Sequence, residues 1–388
     1  MKTKARVIAI NLPQFHPFPE NDKWWGKGFT EWTNVAQAKP QFRGHYQPRI
    51  PADLGFYDLR LPEVREQQAQ LAREAGIEGF CYYHYWFGNG RQLLERPFNE
   101  VLESGKPDFP FCLCWANHNW TNKTWQKGKS LRSDSMIMKM EYSMEDHKKH
   151  FMALLPAFRD ERYIKVDGKP LFGVWSPRDI PEADKFIELW QKMAVENGLK
   201  GLHIVGYTQN SSGRSTKDGR MSLWSENQSE ERYQEVLNLG FDAVISCGLG
   251  RAQTICNGKF KKLMYYLSYN KKFFPPVAMR SDYAKVMKHY YVPEDKWENV
   301  YPTLMPQWDR TPREGFRSDP LINSTPEKFQ HTVEEALKLL VDKQPEHQIL
   351  FLKAWNEWGE CNYVEPDLKF GHGYLDAIHN AIEKAKSL

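Results

Sequence analysis

The sequence predicts an α/β fold, a (β/α)8 TIM barrel with long βα loop insertions, read as one domain over residues 1–388. Three observations carry this. Eight short runs rich in β-branched, aromatic and apolar residues recur along the chain. Most are near-continuously apolar rather than alternating, as strands of a parallel sheet covered on both faces must be. Stretches with helical periodicity lie between them. A doubly wound open sheet is the alternative, but no GxGxxG follows a strand; CGLGRAQ at 247–253 lacks the third glycine.

The first strand is RVIAINL (6–12). The loop over 13–62 is rich in Pro, Gly, Trp and Phe, and a long insertion of this kind usually serves function. The helix at 63–75 follows Pro62, sets Val64, Leu71, Ala72 and Ala75 on one face, and stops at Gly76. IEGFCYY (77–83) is the second strand, with a short helix at 97–104. FPFCLCW (109–115) is the third, with a helix at 145–158. LFGVW (171–175) precedes a helix at 181–197 that starts at Pro181, stops at Gly198 and carries Phe186, Ile187, Trp190, Met193 and Ala194 in one stripe. LHIVGY (202–207) and FDAVIS (241–246) are the fifth and sixth strands. A basic insertion over about 247–300 follows, with Lys259, Lys261, Lys262, Lys271 and Lys272 among tyrosines and phenylalanines. It reads as a solvated face, or as a contact for an acidic glycan or a membrane surface. YPTLMPQW (301–308) is the seventh strand; its helix, 326–342, has Thr325 as N-cap and Pro326 at the first position. QILFLKAW (348–355) is the eighth, with a helix at 374–386.

Composition excludes several classes. With 388 residues and 41% apolar content, the chain is far too apolar for disorder. A net charge of +4 does not announce a nucleic-acid partner. No run of eighteen apolar residues suggests a transmembrane segment. The start, MKTKARVIAINLPQFHP, has no small-residue cleavage site, so it reads as a strand rather than a signal peptide and implies a cytoplasmic address. The six cysteines form no CxxC pair and read as reduced, buried thiols. Aromatic residues make up 14% of the chain, enough to supply both a core and flat platforms for a ring-shaped ligand.

In a parallel barrel the site lies at the carboxyl ends of the strands. Reading those ends nominates His16; Tyr83, His84 and Tyr85; Trp115, Asn117, His118 and Asn119; Tyr207; Trp308 and Asp309; and Asn356, Glu357 and Glu360. Aromatic, amide and carboxylate groups suit a hydroxyl-rich ring with apolar faces, hence an oligosaccharide or polysaccharide substrate. Glu357 and Glu360 are the sharpest element. On a continuous strand they would face opposite ways, but a helical turn after Trp355, eased by Gly359, makes them neighbours about 5–6 Å apart at Cβ. Two close carboxylates repel, so one pKa rises and supplies an acid. Glycoside cleavage uses that division of labour. His16, His84 and His118 could face one cup, yet no HxH or HExxH occurs, so neither metal nor cofactor is expected. No GxSxG supports acyl transfer, and no DxD is present.

The strings LPQFHPFPENDKWWGKGFTEWTNV, RQLLERPFNEVLESGKPDFPFCLCWANHNWT and AWNEWGECNYVEPD resemble the WbsX family of bacterial surface-polysaccharide loci. That family carries a glycosyltransferase name but is similar to glycoside hydrolase family 99, the endo-α-mannosidases, which fold as (β/α)8 barrels. The resemblance implies that Glu357 acts as base on the sugar 2-hydroxyl, giving a 1,2-anhydro intermediate, and that Glu360 protonates the leaving oxygen and then activates water. Two positions depart from the pattern: Cys361 stands where glycine is expected, and His118 makes WANHNW of WANENW. Trp24, Trp25, Glu31 and Trp32 lie in the family-like stretch, where they either meet the ligand or fill the underside of the loop. The expected activity is a retaining glycoside hydrolase. A glycosyltransferase of O-antigen, capsule or lipopolysaccharide assembly and a non-catalytic sugar-binding barrel are the alternatives.

Overall fold

The computed structural model describes residues 5–121, 136–209, 229–258 and 280–387. Eight strands build the sheet: β1 (Arg6–Asn11), β2 (Gly79–Trp86), β3 (Phe111–Trp115), β4 (Lys169–Val174), β5 (His203–Gln209), β6 (Ala243–Cys247), β7 (Val300–Leu304) and β8 (Ile349–Leu352). Each pairs in parallel with its sequence neighbours, and β1 pairs with both β2 and β8, with Ile8 opposite Gly79 on one side and Phe351 on the other. The sheet therefore closes into a (β/α)8 barrel and leaves no open edge. Every residue of β2, β3, β6, β7 and β8 is buried, which is why these runs read as continuously apolar.

Helices follow the strands: α1 (Pro62–Glu74), α2 (Arg96–Ser104), α3 (Met144–Arg159), α4 (Ala183–Glu196), α5 (Ser229–Asn238), α6 (Tyr283–Met287), α7 (Pro326–Lys338) and α8 (Gly373–Ser387). Their starts follow capping chemistry. The Ser143 side chain accepts from the Asp146 N–H ahead of α3, and Thr325 accepts from Lys328 ahead of α7. Three of the boundaries that differ from the sequence reading bear on the site and its frame. β7 stops at Leu304, and Met305–Trp308 runs on as loop. β8 stops at Leu352, ahead of the turn that carries the glutamates. α7 stops at Lys338 rather than 342. α5 and α6 were not legible: α5 buries only Ser229, Tyr233 and Val236, too thin a stripe to announce a helix.

Residues 249–258 at the start of the basic insertion are helical. Its lysines at 259, 261, 262, 271 and 272 lie outside the described residues. The loop after β1 folds around two short helices, Pro19–Trp25 and Glu31–Ala36. Trp32 packs against Phe15, Tyr57 and Trp358 and donates its indole N–H to the Tyr57 carbonyl at 2.7 Å, so it fills the underside of the loop. No helix among the described residues is long and apolar enough to cross a membrane.

Candidate active site

A cavity of about 500 Å³ opens at the carboxyl ends of the strands. Tyr83 and Tyr85 reach it from β2, His118 and Asn119 from the segment after β3, Tyr207 from β5, Trp308 from the segment after β7, and Glu357 and Glu360 from the turn after β8. Trp175 stacks on Tyr207 with ring centres 4.1 Å apart and 17° between planes, making a flat aromatic wall. Lys353 Nζ lies 4.8 Å from the Trp175 ring centre and 3.6 Å from Glu357 Oε2.

The glutamates sit on a hairpin rather than a continuing helix. Asn356–Glu357 pairs antiparallel with Asn362–Tyr363, and Trp358–Glu360 forms one 3₁₀ turn between them. Spacing of three across such a turn brings both side chains to one side. Gly359 is needed for a different reason from the one expected. Its N–H donates to Glu31 Oε1 at 2.7 Å, and a Cβ built there would lie 2.2 Å from that oxygen. The residue that needs left-handed backbone is Cys361, at φ +46° and ψ +35°, a conformation glycine adopts without strain. Its thiol is buried, accepts from Gln47 Nε2 at 3.0 Å and is pushed up to about 12, chiefly by that burial.

Arg313 organises the charges. Its Nη2 donates to Glu31 Oε1 at 2.7 Å and its Nη1 to Glu360 Oε1 at 2.6 Å, with Glu357 Oε1 3.7 Å from that same Nη1. Distances of 2.6 and 3.7 Å from one nitrogen put the two carboxylate oxygens within 6.3 Å of each other. Arg310 Nε adds a second cation 3.3 Å from Glu360. The two carboxyls consequently part company. Burial, then repulsion from Glu360, raises Glu357 above its ordinary value against the pull of Lys353 and Arg313. Burial also pushes Glu360 upward, but Arg313, Arg310 and Lys353 outweigh it and hold that group down. Glu31, completely buried, is raised by its burial despite Arg313.

Six of the residues nominated from sequence do not line the cavity. His84 follows Tyr83 by one and therefore points through the barrel wall, its Nε2 2.9 Å from His150 Nε2. Trp115 packs on Tyr142, His147 and Phe186 and donates to the Trp86 carbonyl. Asn117 bridges the backbone N–H and C=O of Ser176. Asn356 does the same for Leu12 at the end of β1. Asp309 is held by His45, Gln47 and the Thr311 N–H. His16 is buried beside Phe18, and its burial lowers its pKa. These groups brace the loops behind the site. Conversely, Arg310, Arg313, Lys353 and Asp319 line the cavity and were not read from the sequence. Lys353 left a usable signal, a cation inside the apolar run ILFLKAW, which a buried strand tolerates only with a partner. Of the loop residues, Trp25 lines the cavity, while Trp24 packs on Trp120, itself part of the wall. Among the described residues no group of three or more His, Cys, Asp or Glu is placed to hold a metal ion.

A family model described as glycosyltransferase WbsX matches residues 7–378, and the chain belongs to that family. The uncharacterized protein WxcX of Xanthomonas campestris pv. campestris, in two strains, is 33% identical over 382 residues, 98% of this chain and 50% of WxcX. The chain thus spans about half the length of the curated relatives it matches. Among solved structures, a GH99 endo-α-mannosidase from Bacteroides thetaiotaomicron in complex with bis-tris-propane aligns over 99% of both chains at a TM-score of 0.58 and 14% identity. A glycoside hydrolase-like protein aligns over 98% of this chain and 94% of its own at 0.57 and 14%. These two share the fold.

Proposed function

We propose that this chain cleaves glycosidic bonds as a retaining glycoside hydrolase, with Glu357 and Glu360 dividing the acid and base work. The observation that carries this reading is the pair itself: two buried carboxyls within reach of one guanidinium nitrogen, one raised and one lowered, at the strand ends of an aromatic-walled cavity. An acid–base pair has to share a single proton in this way. In the order of events implied by family resemblance, one carboxylate takes the 2-hydroxyl proton. O2 then attacks the anomeric carbon, and the departing oxygen receives a proton from the other carboxyl. Water, activated by the second group, opens the anhydro ring.

In the free site Glu357 is pushed toward holding a proton and Glu360 toward ionisation, the reverse of the tendencies from which that order starts. Either the arriving sugar reverses these tendencies, or the two roles are exchanged. Glycosides with a good leaving group separate these outcomes, because only the variant lacking the acid is rescued by them. A transferase reading draws on the family's description and on Arg310, Arg313 and Lys353, three cations in the cavity wall able to meet the phosphates of an activated sugar donor.

The test is a panel of oligosaccharides offered with and without nucleotide-sugar donors to the wild type, E357Q and E360Q. Release of reducing sugar without donor, lost in both variants while ligand binding persists, supports hydrolysis. Turnover only with donor moves the assignment to transfer, and full activity in either variant overturns the role of the pair.

A further inference from the structure

We propose that Glu365 is the positioning residue of the turn that carries Glu357 and Glu360. The inference rests on the catalytic reading above only in that this turn bears the acid–base pair. Glu365 is 2% exposed. Its Oε1 accepts from Gln68 Nε2 at 2.6 Å and Trp355 Nε1 at 2.8 Å, and its Oε2 from Trp358 Nε1 at 2.6 Å and the Tyr57 hydroxyl at 2.9 Å. Among the described residues no lysine or arginine pairs with it. A buried carboxylate held by four neutral donors is unusual, because burial of a charge is ordinarily offset by a cation.

Two of the donors explain its place. Indole N–H groups can only donate, so Trp355 and Trp358 are each fixed in orientation by the acceptor they find. They stand on either side of Asn356–Glu357 and converge on the same carboxylate, so the backbone between them is pinned at both ends. Their rings are seated as well: Trp355 against Phe80, and Trp358 stacked on Tyr363 with centres 3.7 Å apart. The Tyr57 hydroxyl, while donating to Glu365, accepts from Asn356 Nδ2 at 3.2 Å, and Asn356 in turn holds Leu12. One carboxylate therefore ties α1, the first loop and the end of β1 to the residue next to Glu357.

Four donors occupy all the acceptor positions of an ionised carboxylate, so a proton on either oxygen displaces at least one of them. Burial opposes ionisation; against it the bonds from Trp358, Gln68, Tyr57 and Trp355 leave the group at about 7. Tyr57, from the first loop, is the titratable side chain in contact with it. α1 presents the neutral Gln68, with Arg65 turned away to Leu59 and Glu100. The turn itself carries Glu357 and Glu360, and Glu31 acts on Tyr57. The cage is thus complete above neutrality and loses a bond as pH falls through about 7.

Indole N–H resonances of the full chain, recorded without ligand, read this directly. The expected result is that the Trp355 and Trp358 signals move together with a shared midpoint near 7, that E365Q abolishes the movement, and that E365Q lowers kcat about tenfold or more with KM changed much less. Where E365Q does not fold, W358F removes one donor and keeps a ring; it should raise the midpoint seen at Trp355 and lower kcat. Signals that stay fixed between about pH 5.5 and 8.5, or E365Q with unchanged kcat, overturn the proposal. Because the resonances need no substrate, absence of turnover on every glycan would count against the catalytic reading and leave this one to be judged by the titration.

Discussion

The two ends of the barrel both bury polar groups, but they satisfy them differently. At the amino end, the Tyr301 hydroxyl is shared between His203 Nε2 at 2.9 Å and His347 Nδ1 at 3.0 Å, His347 Nε2 meets Asp167 at 2.9 Å, and Arg6 forks onto Glu78. At the carboxyl end, the Tyr207 hydroxyl and His118 Nδ1 are buried with no hydrogen-bond partner, both on residues of the cavity wall. Each such orphan costs about 1–3 kcal/mol in the unliganded chain. On the proposed function, the hydroxyls of a sugar ring would supply donors and acceptors to these cavity-wall groups. The difference separates two kinds of polar burial: at the amino end the groups named pair with one another, and at the carboxyl end groups are left facing the cavity that the proposed function uses.

The strongest way to break the comparison is at the glutamates. E357Q and E360Q should each lower kcat by about 10³-fold or more. E357Q should leave the thermal midpoint nearly unchanged, since burial and Glu360 already disfavour a charge on Glu357 and glutamine matches its shape. A large loss of stability in E357Q, seen by differential scanning calorimetry, would make that group structural. Next comes Arg313, where R313M leaves Glu31 and Glu360 without their shared cation. A loss of about 3–5 kcal/mol in denaturant unfolding is expected, and R313K should recover little of it because one ammonium cannot replace a fork. G359A forces Glu31 away from the turn and should cost about 1–3 kcal/mol together with a fall in kcat. The smallest effect belongs to the amino end: R6A removes a partly exposed pair with Glu78, costs about 1 kcal/mol or less, and leaves kcat within twofold of wild type. A kcat effect from R6A larger than that from G359A would erase the distinction between the ends.

The barrel was legible because its strands are apolar without interruption, a pattern that only a doubly covered parallel sheet needs. The site was legible as a place and only partly as a list. Period-two alternation sends Tyr83 and Tyr85 inward and His84 out to His150, and where a strand ends decides which residues that rule covers. β8 ends at Leu352, five residues ahead of Glu357, so the pair sits on a hairpin whose shape no strand or helix period encodes. Arg313 and Glu31 meet across 282 residues of sequence, and neither carries a local signal of the other. Glu365 is similar: its role comes from donors on α1, the first loop and the turn together, and alone it reads as one more acidic residue in NYVEPD.

The central claim, that one turn holds two buried carboxyls side by side and drives their pKa values apart, is tested most directly by carboxyl-carbon NMR titration of Glu357 and Glu360 in the free chain. The account predicts that Glu360 titrates below the ordinary glutamate value and Glu357 above it, and that E360Q lowers the Glu357 midpoint by removing a like charge. Two independent transitions at the ordinary value, each indifferent to loss of the other, would contradict it.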